Sequence, residues 1–221
     1  MKPIVTFFIS FFSLFFQSQE TFKDITRNLK TDNALLDTTY RKISGDTVSL
    51  RKLLTLSEKN RNGTAQSFFL NKLGVFYRDK SKYSDAFNLH QKALKIAKSN
   101  DNLEQIIISE NLLGVVFRRK DEIIPAIEHH QKALELAESI KNPNETILRN
   151  VAISCNSLGN VYLTMNHLDD ALQYFQRSLK IEKKIKTHQI NKNLINLLND
   201  LITQVSDITA NIIACLKISP F

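Results

Sequence analysis

The side chains best suited to chemistry stand together at Glu128, His129 and His130. Imidazoles and carboxylates are common zinc donors. Consecutive residues on a helix point about 100° apart, however, so His129 and His130 cannot easily grip one ion. The two cysteines, Cys155 and Cys215, lie sixty residues apart with no Cys-x-x-Cys spacing. They read as buried free thiols, with a disulfide as the alternative in an oxidising compartment. The chain has no Gly-rich phosphate loop, no Gly-x-Ser-x-Gly elbow and no paired-carboxylate motif. The expectation is therefore a protein that is not an enzyme and holds no metal or cofactor.

Charge points the same way. The 30 Lys and Arg outnumber 22 Asp and Glu, for a net charge of +8. The excess is uneven, +5 over residues 67–100 and −3 over 101–141, which makes a local dipole instead of a nucleic-acid footprint. Lys92, Lys95 and Lys98 follow one another at threes and read as a solvated helix face. No nucleic-acid partner is expected.

These residues ride on a unit written three times. Asn71, Leu73, Gly74, Tyr77, Ala86 and Ala93 recur as Asn111, Leu113, Gly114, Phe117, Ala126 and Ala133, and again as Asn156, Leu158, Gly159, Tyr162, Ala171 and Ser178. The copies start 40 and then 45 residues apart, so a fixed interior is joined by variable linkers. Within the second copy, Ile107, Leu113 and Phe117, then Ile123, Ile127 and Leu134, recur at helical spacing. Each copy thus reads as an antiparallel helix pair with one apolar stripe per helix. Gly74, Ala86, Ala93 and their counterparts sit where large neighbours must come close, and a side chain larger than Ala there is expected to hold the helices apart. Ser81, Asp121 and Asn166 share one position in the joint between the two helices. All three can cap a helix start, and Asn also tolerates a left-handed turn.

The pattern resembles the tetratricopeptide repeat family: Leu-Gly-x-x-Tyr, a small residue twelve after the Gly, an aromatic four later and Ala three after that. The resemblance covers about residues 67–186. The first-position Trp is absent, His90 and His130 take the aromatic site in two copies and Phe175 in the third, and Ser178 replaces the last Ala. A spacing near 40 is similar to the long-helix subclass found in kinesin light chains and many bacterial regulators, which also favours an Asn three before the Gly. The implied fold is all-α, a right-handed solenoid of antiparallel helix pairs. His90 and His130 would then pack at the aromatic site.

The resemblance also implies a concave groove lined by the first helix of each pair. Its inward positions are Asn71, Val75 and Arg78; Asn111, Val115 and Arg118; and Asn156, Asn160 and Leu163. Asn can bond both groups of an extended peptide backbone, and Arg can fork onto a carboxylate. A protein or peptide segment with an acidic group is the partner this suggests. The alternative is that the Asn ladder bonds between adjacent helices and only stabilises the stack.

The flanks complete the layout. Residues 1–18 place Lys2 before the apolar run Ile4–Phe16, which reads as a signal peptide cut near Ser18, with an uncleaved anchor as the alternative. Either places the repeats outside the cytoplasm, secreted or periplasmic. Residues 19–66 read as a degenerate leading repeat, with helices at 33–42 and 47–60 and turns at Ser44-Gly45-Asp46 and Arg61-Asn62-Gly63-Thr64. Residues 67–190 hold the repeats at 67–100, 107–141 and 152–186. Lys141-Asn142-Pro143-Asn144 breaks the helix before the third. Asn62 and Asn144 begin glycosylation-acceptor patterns that read more simply as polar turns. From 191–221, Leu194, Leu198, Leu201, Val205, Ile208, Ile212 and Cys215 form a heptad seam. A capping helix is expected there, with a homodimer through 194–215 as the alternative. The overall expectation is a protein- or peptide-binding scaffold. Its competitor is the input domain of a signal-transduction sensor, whose tail would lead to a membrane helix and an output module that this chain does not contain.

Overall fold

The computed structural model describes Leu36, residues 46–185 and residues 200–204. The signal-peptide reading, most of the 33–42 helix, and the tail except 200–204 lie outside the described residues. Among the described residues seven helices have both ends defined, in order α1 Thr47–Lys59, α2 Gly63–Asp79, α3 Tyr83–Ser99, α4 Leu103–Arg119, α5 Ile123–Glu138, α6 Glu145–Thr164 and α7 Leu168–Lys184, and Leu36 and residues 200–204 are also helical. The pairs α2/α3, α4/α5 and α6/α7 are the three repeats. Each second helix also packs on the first helix of the next pair, while α2 touches α4 and α4 touches α6. This is a solenoid in which every unit contacts its neighbours. Among the described residues there is no strand, and no helix is long and apolar enough to cross a membrane.

The core follows the joints. Leu50 and Leu53 of α1 meet Ala65, Phe68, Phe69 and Leu73 of α2, and Leu36 joins them. Ile107, Leu134 and Ala137 meet Ile147, Val151, Cys155 and Leu158. Ala171 and Phe175 of α7 meet Leu201, so one residue of the heptad seam is buried within its own chain. The helices can approach because the small positions are fully enclosed: Ala86, Ala93, Ala126, Ala133, Ala171 and Ser178 are each 0% exposed. Ser178 stands where the other repeats have Ala, and its hydroxyl donates to Ala152 O at 2.9 Å across the α6–α7 contact.

The joints correct one expectation. Ser81, Asp121 and Asn166 do not cap the second helices; the cap positions are Lys82, Glu122 and His167, without side-chain cap bonds. Instead they end the first helices at positive φ of 59°, 59° and 61°. Lys82 N donates to Tyr77 O at 2.9 Å and Ser81 N to Arg78 O at 2.8 Å, the paired closure of a Schellman turn, and Asp121 and Asn166 repeat it. The joints between repeats use the same closure at Arg61 and Asp101. There the next residue is an Asn that caps the following helix: Asn62 accepts from Ala65 N at 3.0 Å and Asn102 from Gln105 N at 3.1 Å. Gly63 and Thr64, read above as turn, already belong to α2. Asn144 caps α6 by accepting from Ile147 N at 2.9 Å, so both asparagines of the acceptor patterns serve as caps. Asp46 caps α1 through bonds from Val48 N and Ser49 N.

Candidate functional site: the concave face

The first helices α2, α4 and α6 carry the candidate groove residues, and a buried polar chain runs beneath them. Asn71 Oδ1 accepts from His90 Nδ1 at 3.0 Å, and its amide donates to Ser109 Oγ at 2.9 Å and Gln105 Oε1 at 3.3 Å. Asn111 repeats the arrangement: its oxygen accepts from His130 Nδ1 at 3.0 Å and Ser154 Oγ at 2.7 Å, and its amide donates to Asn150 O at 3.1 Å. Both asparagines are buried, at 3% and 2% exposure. The stack-stabilising alternative is therefore what Asn71 and Asn111 do: each ties its own helix to its partner and to the next repeat. A ligand reaches these amides only by displacing those bonds. Asn156 differs because its ring partner is Phe175, which has no N–H to offer. It is half-buried, and its backbone carbonyl accepts from Asn160 Nδ2 at 2.7 Å.

His90 and His130 explain the glycines. A Cβ on Gly74 would lie 2.4 Å from His90 Cε1, one on Gly114 2.7 Å from His130 Nε2, and one on Gly159 2.7 Å from Phe175 Cδ1. The rings press flat against the opposite backbone, so even Ala is too large at these positions. Nδ1 of each His serves Asn, while Nε2 is buried without a partner, which assigns the neutral Nδ1–H tautomer. Burial pushes both imidazoles down to about 3, and the charges of Arg78 on His90, and of Arg118 and His129 on His130, add to it. His129 points elsewhere: it stacks on Phe117 at 5.1 Å and bonds Glu110 at 2.6 Å. The adjacent histidines thus face different partners, and no metal-holding cluster occurs among the described residues.

The remaining candidate groove residues, Val75, Arg78, Val115, Arg118, Asn160 and Leu163, are half-buried. Leu163 also packs against the Phe175 cluster. Arg78 is neutralised by Asp79, whose Oδ1 accepts from Nε at 3.0 Å and Nη2 at 2.7 Å. Among the described residues Arg118 has no such acid. Its Nε is buried without a hydrogen-bond partner, and burial, Arg119 and Arg78 all push its pKa down from the usual guanidinium value. It is a cation set among cations.

Sequence reasoning missed Glu110, which is 1% exposed. Its Oε2 accepts from His129, and Lys98 and Lys132 approach Oε1 at 3.6 and 3.5 Å. Burial raises this carboxyl, but the His129 hydrogen bond and the charges of Lys132, His129 and Lys98 outweigh it and hold the pKa below the usual range. A signal existed: the position four before the repeat Gly is Leu70 and Cys155 in the other copies.

A solenoid of helix pairs tied by an interhelical polar spine is a repeat protein of the interaction-scaffold class. Tetratricopeptide-repeat family models match residues 64–139 and 151–185, together half of the chain. The chain belongs to the tetratricopeptide repeat family. Its fold is similar to that in the crystal structure of BtubC (BKLC) from P. vanneervenii, with a TM-score of 0.67 at 17% identity over 93% of this chain and 91% of that one. No curated protein matches significantly.

Proposed function

We propose that the concave face binds a protein or peptide segment that carries an acidic group, with Arg118 as the principal anchor. One observation carries this reading. Arg118 is half-buried, its Nε lacks a partner, and its charged neighbours Arg119 and Arg78 are of like sign. A carboxylate from a ligand supplies the missing counter-charge and can accept two parallel bonds from the guanidinium. Val75 and Val115 give apolar contact on the adjacent row, and Asn160 offers an amide. Arg78 is a weaker anchor, because Asp79 already occupies it. Asn71, Asn111 and Asn156 shape the floor. With residues 1–18 read as a leader, we propose that this binding occurs outside the cytoplasm, secreted or periplasmic.

The test is a pull-down with the full chain from the native extracytoplasmic fraction, with bound proteins identified by mass spectrometry. A discrete partner, released at high salt and lost with Arg118→Ala while the helical melt is unchanged, is the expected result. Capture that is indifferent to Arg118→Ala removes the anchor from the argument, and a chain that captures nothing removes the groove reading.

A further inference from the structure

The ion pairs that link successive second helices follow a rule that breaks once. Glu58 of α1 meets Lys92 of α3 at 3.5 Å, and Glu138 of α5 meets Arg177 of α7. In both, an acid near the end of one second helix faces a base in the middle of the next. The residue at the same place in α3 is Lys98, forty positions after Glu58 and forty before Glu138, and the base it should meet in α5 is Lys132. Two ammonium groups thus face each other at the joint between the first and second repeats. Glu110 lies beneath them on α4, and both approach the same Oε1 oxygen, at 3.6 and 3.5 Å. The flanking pairs are exposed on both sides, whereas Glu110 is 1% exposed and fills a column that is apolar in the other repeats.

We propose that Glu110 is an acid-released clasp: ionised, it bridges Lys98 and Lys132 across the joint between the first two repeats, and protonated, it lets that joint open before the others. The groups that face it are Lys98 from α3 and His129 and Lys132 from α5. The helices α2 and α6 also pack on α4, but meet it through Asn71 and through Asn150 and Ser154, and bring no charged group to the carboxyl among the described residues. A proton on Glu110 removes the only anion of the cluster among the described residues and leaves two ammonium groups and an imidazole converging on a neutral buried acid. The sign follows from the depressed acid: its contribution is complete above the usual carboxylate range and is lost as pH falls through and below it. The flanking pairs are solvated and contribute little at any pH.

The measurement is amide hydrogen exchange from pH 7 to pH 3.5 on the full chain carrying His90→Phe and His130→Phe, which removes the acid response of the two buried imidazoles of α3 and α5, corrected for the intrinsic pH dependence of exchange and comparing α3–α5 with α6–α7. Expected is a rise of about tenfold or more in α3–α5 before any comparable rise in α6–α7. The double variant Lys98→Glu/Glu110→Leu, made in that same background, rebuilds the flanking pattern, with a surface Glu facing Lys132 over an apolar column, so it avoids a buried unpaired charge. In it the early opening of α3–α5 is expected to disappear. Loss of protection in both regions together, no loss in either, or an early opening that survives in the double variant would overturn the clasp.

Discussion

Replacing Gly74 by Ala tests how tightly the helix pair is closed, because two effects of opposite sign compete. Gly in a helix interior is unfavourable by about 1 kcal/mol relative to Ala, so propensity alone predicts that Gly74→Ala stabilises α2. Packing predicts the reverse. The new Cβ would lie 2.4, 2.7 and 2.8 Å from Cε1, Nε2 and Nδ1 of His90, against about 3.5–4.0 Å for a comfortable carbon contact. The ring must retreat by about 1 Å, and it is 0% exposed, with nowhere soft to go. Overpacking of this kind costs about 1–3 kcal/mol. The retreat also stretches the His90–Asn71 bond, worth about 0.5–1.5 kcal/mol. With propensity subtracted, the net loss is about 0.5–3.5 kcal/mol. For a chain of this size that lowers the melting temperature by roughly 2–4 °C per kcal/mol. The assay is thermal unfolding by far-UV circular dichroism, with Gln91→Ala on the exposed face of α3 as the control. A Gly74→Ala protein that melts at or above the wild-type temperature would refute the argument, since propensity would have won.

Two further outcomes follow from buried groups. His90 and His130 stay neutral in the folded state down to about 3, while in the unfolded chain they take up protons below about 6.5. Their stability contribution is therefore full above about 6.5 and falls as pH drops through that window, by up to about 1.4 kcal/mol per pH unit for each ring. Urea unfolding at pH 7 and pH 5 should show this slope, and His90→Phe/His130→Phe should flatten it; an unchanged slope would contradict the burial argument. Cys155 is 0% exposed, and burial pushes its thiol up to about 12. Iodoacetamide at pH 8 should leave Cys155 unmodified in the native protein and alkylate it after denaturation, as read by peptide mass spectrometry; rapid native labelling would show that the α5–α6 core opens.

The repeat phase was legible because the fixed offsets from Gly74, Gly114 and Gly159 to the small residues report a distance of closest approach that no other arrangement needs. The packing role of His90 and His130 followed from the same register. Two features were not legible, for different reasons. The asparagines at the position three before each Gly can turn outward to a ligand or inward to a neighbouring helix, and the residue type does not distinguish these. The choice depends on Gln105, Ser109, Asn150 and Ser154, which lie one repeat away. The left-handed turn was legible at Asn166, whose residue type tolerates it, but hidden at Ser81 and Asp121, because they are not glycines and backbone closure by Schellman bonds leaves no side-chain signature. Glu110 could have been found by comparing columns across the copies, where an acid interrupts Leu70 and Cys155. Its partners could not, since Lys98 and Lys132 belong to different helices of different repeats.

The five left-handed joints leave the chain almost no slack between its helices. At Ser81, one inserted residue would break both closing bonds and rotate α3 relative to α2, turning His90 away from Gly74. The stretch Ser139–Asn144 is different: it closes no such turn. Ile140 packs on the α5–α6 cluster and Asn144 caps α6 and donates to Glu104 at 2.9 Å, while Lys141 and Asn142 between them are exposed. Length added between Lys141 and Asn142 is taken up by the loop, at about 0.6 kcal/mol for each doubling. Among the described joints this is where a foreign segment, a fluorophore tag or a second domain can be spliced without disturbing the register of the stack.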